Sequence, residues 1–287
     1  MNIIKKINEK RRTLRNKMRW EKHKLSDWYH TYLSIKTKEY NTSLGFKLRT
    51  RGYIANKLMV ESKFETTEIN ILRKLIKNSD IFVDIGANIG YYTCFACSLG
   101  KKVLAFEPQN QNLSCLLANI KTNNFSSLAE IFPMGLGEVP GILTLYGASG
   151  PSASLIDGWA GYSSKFKKLI PINTLDTILS GRYLDDAMVI KIDVEGAEFR
   201  VLKGAINTLN RKVKPNWFLE ICLDQFHPDA LNENFLETFQ LFFDAGYHAY
   251  IADKEKTAVS PNDVRNWVKN RSTGHSEFNY IFVPSPI

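Results

Sequence analysis

Apolar positions along this chain switch between a two-residue and a 3.6-residue period, and the switches mark out strands and helices. Ile81, Phe82 and Val83 form an apolar run that stops at Asp84. A turn bracketed by Gly86 and Gly90 follows, then a helical stretch and a second apolar strand ending at Glu107. Residues 109–123 put Leu113, Leu116, Leu117 and Ile120 on one helical face, and residues 128–133 read as a third strand. GILTLYG, 141–147, reads as another strand. The Gly- and Ser-rich stretch 147–166 after it is too long for an ordinary connection and is expected to be a lid or binding loop carrying Trp159 and Tyr162. The alternation resumes with a strand at 187–193, a helix from about 196 to 210, a strand ending near Glu220, a helix over 232–245, and the strands YHAYIA and EFNYIFV. Strands alternating with helices predict an α/β fold with a parallel sheet covered on both faces.

The 81–107 unit carries the first chemistry. In open α/β sheets the ligand lies outside the carboxyl ends of the strands, where a glycine turn lets the backbone approach and an acid after the second strand bonds ribose hydroxyls. Asp84 and Glu107 are therefore expected to face a nucleoside-containing cofactor. A dinucleotide would place its pyrophosphate on the first turn. Here the third glycine of that fingerprint is missing and Asp84 stands two residues before Gly86. A carboxylate there repels phosphate but attracts the amino group and sulfonium of S-adenosylmethionine. Acids at helix starts also serve as caps, but glycine turn, acid spacing and strand pattern agree on the cofactor.

IKIDVEGAE, 190–198, is the second cluster: Asp193 closes a strand, and Glu195 and Glu198 follow it. Glu220 ends the next strand on the same sheet edge. Glu198 fits a helix-capping role, whereas Asp193, Glu195 and Glu220 are candidates for proton abstraction. They could instead hold a divalent cation, for which an all-oxygen site favours Mg²⁺, Mn²⁺ or Ca²⁺ over zinc. His227, in DQFHP, is a further candidate base. Cys94 and Cys97 form a C-x-x-C without a second pair, which reads as buried thiols on a helix rather than a zinc set.

Charge divides the chain. Residues 1–40 hold twelve Lys and Arg against four Asp and Glu, which is +8 of the +9 total, so the body at 41–287 is nearly neutral. Leu25, Trp28, Tyr29, Tyr32 and Leu33 share one helical face within this arm. A basic helix with an aromatic stripe suits an anionic membrane surface; packing on its own body or on a second subunit in a homo-oligomer is the alternative. Nucleic acid is not expected, because no basic track continues behind the arm. No run of about 18 apolar residues suggests a span, and the amino terminus lacks an apolar stretch of signal length. A cytoplasmic enzyme, peripheral at the inner membrane face, is the expectation.

DIGANIGYYT, AFEPQNQNLSCLLANIKTN, NTLDTIL and IKIDVEGAEFRVLKGA, in that order, resemble FkbM-type methyltransferases, an S-adenosylmethionine-dependent group. The likeness runs from about Phe64 to Glu220. It implies the class I methyltransferase fold, a Rossmann-like, seven-stranded, mostly parallel sheet whose last strand is antiparallel, here with a basic helical N-terminal arm. By motif it implies that Asp84, Gly86, Asn88 and Gly90 form the methionine-side cofactor loop and that Glu107 is the ribose ligand. Asp193, Glu195 and Glu198 match the acidic motif. Members of the family methylate hydroxyls on polyketides or on sugars.

The expected function is O-methyl transfer from S-adenosylmethionine to a sugar hydroxyl of a bacterial surface glycan or its precursor. Methylation of RNA, a small metabolite or a polyketide is the rival reaction, and a non-catalytic binding module with the cofactor fold is the rival class. Asp193-Val194-Glu195-Gly196 stands where many amino-methyltransferases of nucleobases carry an Asn/Asp-Pro-Pro-aromatic tetrapeptide, and a hydroxyl acceptor needs a base such as these carboxylates can supply.

Overall fold

The structure is a computed structural model that describes residues 38–50, 58–61, 63–147, 152–161, 165–228 and 231–286. The aromatic face of the basic arm and Tyr162 lie outside these residues. Lys38–Asn41 (β1), counted with the arm in the sequence, instead forms an antiparallel hairpin with Lys47–Thr50 (β2).

The main sheet contains Ile81–Ile85 (β3), Lys102–Phe106 (β4), Ala129–Phe132 (β5), Met188–Ile192 (β9), Asn216–Glu220 (β10), His248–Ile251 (β11), Ala258–Val259 (β12) and Asn279–Val283 (β13). Its order is β12-β11-β13-β10-β9-β3-β4-β5. The pairs among β3, β4, β5, β9 and β10 are parallel, and β13 runs antiparallel between β10 and β11. The sheet has eight strands where seven were expected, and the antiparallel last strand is present. The eighth is the two-residue β12, which pairs with the edge of β11 just before Ser260 and Asp263 close a capping box on the Pro261–Asn270 helix. The chain lays down β3, β4 and β5 in one direction and then returns to the other side of β3 with β9. That reversal opens a crevice at the carboxyl ends of β3, β4 and β9.

Gly141–Tyr146 (β7) does not join this sheet. It pairs antiparallel with Lys167–Asn173 (β8), and Gly135–Leu136 (β6) adds to the far side of β8. The sequence pattern does not mark β8, because KKLIPIN begins with two lysines and contains a proline, which lacks the N–H of a regular ladder. The helix expected over 196–210 is two short ones, Glu198–Lys203 and Ile206–Leu209. Between them Gly204 lies so close to the Gly137 carbonyl that an added Cβ would stand 2.0 Å from its oxygen.

Alternation along the central strands sorts their side chains into two cores. Ile81, Val83, Ile85, Ile190 and Ile192 face one side, and Phe82 and Val189 face the other, where the Tyr91–Ser98 helix packs. Asp84 and Lys191 follow Phe82 and Val189 by two residues, so they share that second face. They are direct partners in the β3–β9 register.

Candidate active site

Gly86 lets the first turn close onto the acidic loop. Its φ is +87°, and a Cβ there would stand 1.9 Å from the Asp193 carbonyl oxygen, so both conformation and space exclude a side chain. With the turn in this place, the Asn88 N–H donates to Glu107 Oε2 at 2.8 Å while the Gln109 N–H donates to Oε1 at 2.8 Å. Burial raises the Glu107 carboxyl from 4.5 to about 7 against the pull of these two donors. The Asn112 Nδ2 also donates to Oε1 at 3.5 Å, and Oε2 keeps a lone pair for a further donor.

Glu107 opens onto a cleft of about 690 Å³, part of it open to solvent. Gly86, Asn88, Asp193 and Glu195 line it together with apolar residues that include Phe106, Met134 and Leu136. From the side sheet come Leu145, Ile170 and Ile172. Three carboxylates and no Lys or Arg line it among the described residues. Such a site fits a cationic ligand with ribose hydroxyls and an apolar base, and it suits a pyrophosphate poorly. Glu107 could hold the ribose of such a ligand, and the Gly86–Asn88 turn could meet the methionine end of S-adenosylmethionine.

Asp84 and Gly90 are not among the residues that line the cleft. Gly90 is buried against Leu116, where an added Cβ would stand 2.4 Å from Cδ1, so it serves packing of the turn. Asp84 is buried on the helix side of the sheet, where its Oδ2 accepts from Thr93 Oγ1 at 2.6 Å. Burial raises its pKa, opposed by the Lys191 ammonium. Alternation explains the placement: Ile85 and Gly86 take the cleft side, and Asp84 falls one position short of it.

Lys191 is the buried charge beside the site that motif reading missed. It is 3% exposed, and its Nζ donates to Asp193 Oδ2 at 2.8 Å and stands 4.7 Å from the centroid of the Tyr92 ring. Burial alone would lower its pKa, but Asp193, Asp84 and Glu65 together raise it, so the ammonium stays charged. Glu65 completes the group by accepting from the Tyr92 hydroxyl. Burial carries Glu65 up to about 7, with Lys191 pulling the other way. The signal was present: a lysine in the otherwise apolar strand MVIKI, covered on both sides, requires anionic partners.

Glu195 sits at φ 57°, a left-handed conformation uncommon for a side chain of its size. Trp159 holds it there. The indole Nε1 donates to Glu195 Oε2 at 2.7 Å, and the Ser154 hydroxyl donates to the Glu195 carbonyl at 2.5 Å. Gly196 leaves room for the ring, since a Cβ there would lie 2.4 Å from Trp159 Cζ3. Burial first, and Asp193 next, push the Glu195 carboxyl well above the ordinary carboxylate range. Trp159 is itself buried, at 3% exposure. The ring that the sequence offered for stacking on a ligand therefore orients an acid instead.

Glu198 accepts from the Val194 and Gly196 N–H groups at 3.3 and 3.0 Å, the capping role expected for it. Glu220 and His227 do not line the cleft. Burial and the charges of Asp193, Glu195 and Glu198 raise Glu220, which marks it as a neighbour behind the cleft acids. The His227 ring meets the Trp159 ring edge-on, 4.7 Å between centroids. Among the described residues no group of three or more His, Cys, Asp or Glu is placed to hold a metal ion, so the Mg²⁺ or Mn²⁺ considered from sequence finds no ligand set there. The positive charge beside Asp193 comes from Lys191. Cys94, Cys97, Cys115 and Cys222 are free and buried.

A sheet that reverses at β3, with a carboxylate-lined cleft at the reversal, defines a class I methyltransferase fold. The chain belongs to the FkbM methyltransferase family, whose "Methyltransferase FkbM domain" pattern it matches over residues 84–249. A hexuronic acid methyltransferase of Haloferax volcanii is 28% identical over 147 residues, covering 50% of this chain and 58% of that protein, so the likeness spans little more than half of the relative's length. The crystal structure of an FkbM methyltransferase from Methylobacillus flagellatus is 22% identical, with a TM-score of 0.43 over 71% of this chain and 44% of that one. An O-methyltransferase from Thermotoga maritima is 12% identical, with a TM-score of 0.38 over 85% and 76% of the two chains.

Replacing Glu107 with Gln removes the charge but not the shape. S-adenosylmethionine binding should weaken by about 1.5–3 kcal/mol, roughly 10- to 150-fold. Titration calorimetry reads this directly, and unchanged affinity would take the ribose role away from Glu107.

Proposed function

We propose that this chain is an S-adenosylmethionine-dependent methyltransferase that acts on a hydroxyl of a sugar, on a surface glycan or its lipid-linked precursor. The observation that carries the reading is the pair of carboxylates, Asp193 and Glu195, lining the cleft beside the Glu107 end. An oxygen acceptor loses its proton as it is methylated, and a carboxylate within the cleft can take that proton. Bound S-adenosylmethionine supplies an electrophilic methyl group. The chain's own part is to hold the acceptor oxygen in line, keep water out and receive the proton. Asp193 Oδ2 is already engaged by the Lys191 ammonium. Glu195 is oriented by Trp159 and burial raises it above an ordinary carboxylate, so we assign it the proton. The curated relative from Haloferax volcanii, named for hexuronic acid, gives the sugar class its support. A cleft with no Lys or Arg among its lining residues argues against an RNA backbone as acceptor.

The test is to incubate the protein with radiolabelled methyl donor and separated glycolipid, polysaccharide, RNA and metabolite fractions. Label is expected in the glycolipid or polysaccharide fraction and absent with the Glu195→Gln variant. Label confined to RNA or to metabolites would overturn the acceptor assignment.

A further inference from the structure

The three-stranded side sheet has two faces with different fates. Its inner face gives Leu145, Ile170 and Ile172 to the cleft and packs on Ala153 and Leu155. On the outer face the register sets Ile142 opposite Pro171, Thr144 opposite Leu169, and Tyr146 opposite Lys167. Ile142 is 69% exposed and Leu169 is 73% exposed. Five of the eleven large apolar side chains exposed among the described residues fall within 139–169: Val139, Ile142, Leu143, Phe166 and Leu169. Ile142, Leu143 and Leu169 lie in β7 and β8, and Val139 and Phe166 on the segments that lead into them, a concentration that exceeds the scatter expected of a surface.

Charge selects the occupant. Residues 139–175 contain Lys165, Lys167 and Lys168 against one acid, Asp157. Glu138, just before this segment, is paired with Lys203 at 3.1 Å. A second copy docking through the same face in a two-fold dimer would bring Lys167 towards its own equivalent, a repulsive arrangement. Aliphatic side chains rimmed by lysines match the boundary between acyl chains and anionic headgroups, where apolar groups insert and cations pair with phosphate.

We propose that this outer face docks on an anionic bilayer surface, which places the cleft roofed by the same sheet beside the membrane. The docking stands on exposure and charge alone. Its use, to bring a lipid-linked acceptor within reach, rests on the function proposed above.

Flotation of the full chain with phosphatidylcholine vesicles, with and without phosphatidylglycerol, tests it. The parent should float with the anionic vesicles. An Ile142→Ser/Leu169→Ser variant should partition about tenfold less or weaker still. Its melting temperature and its donor affinity should match the parent's, because both side chains are solvent-exposed. A Lys167→Gln variant should lose binding to anionic vesicles most at low salt, where charge attraction is least screened. The basic arm is present in every protein compared, so the ratios report the sheet. A parent that does not float, or an Ile142→Ser/Leu169→Ser variant that floats like it, overturns the proposal. So does a variant altered only in oligomeric state or melting temperature, which would give the face to a second copy or to another segment of this chain. Flotation in the expected pattern without methylation of any sugar fraction would remove the acceptor assignment and leave the docking in place.

Discussion

Replacing Lys191 with Met should destabilise the protein by about 3–5 kcal/mol, the usual result of removing one partner from a buried ion pair. The methionine fills the space but leaves Asp193, Asp84 and Glu65 facing one another around a site with no cation. Adding Asp193→Asn to Lys191→Met should recover part of the loss, because one of the uncompensated charges then disappears. Chemical denaturation of the two single variants and the double variant reads the coupling. Additive effects would mean that Lys191 and Asp193 act independently and that the 2.8 Å contact does not bind them together.

Glu195→Gln is expected to lower kcat by about 10²-fold or more, with donor affinity little changed, since the substitution removes a proton acceptor and keeps the shape. The sign of the pH dependence follows from the environment. Burial and Asp193 raise the Glu195 carboxyl above its ordinary value of 4.5, so the group carries its proton further up the pH scale. Activity should therefore climb through a limb above that value and fall as the pH is lowered through it. The variant should lack the limb. Retention of full rate by Glu195→Gln together with its loss in Asp193→Asn would move the base to Asp193 in spite of its ammonium partner.

Much of this architecture was legible in the chain. The apolar runs of β3, β4, β9 and β10 lead to acids at or near their carboxyl ends, with Lys191 breaking the run in β9, because central parallel strands are covered on both faces. The glycine turn at 86–90 stood out because the chain must pass within contact distance of the Asp193 loop there. Pattern failed at the side sheet. β7 alternates like any strand, but which sheet it joins depends on β8, and lysines and a proline conceal β8. The helix read over 196–210 divides at Gly204 for a similar reason, since the constraint comes from a carbonyl on a distant segment.

The sequence by itself determined the fold class, the glycine turn and the position of Glu107, because each follows from short-range spacing and the two-residue period of strands. It also placed Asp193 and Glu195 at the mouth of the sheet. Only the tertiary structure decided what these acids do, because their proton affinities are set by neighbours far away in the chain. Thirty-six residues separate Trp159 from the Glu195 carboxylate that it orients. Register across two strands set Lys191 opposite Asp84, and a lysine in the strand then joined Asp193 two positions on. Burial and charge act through space, and the pattern along the chain records only one side of each contact.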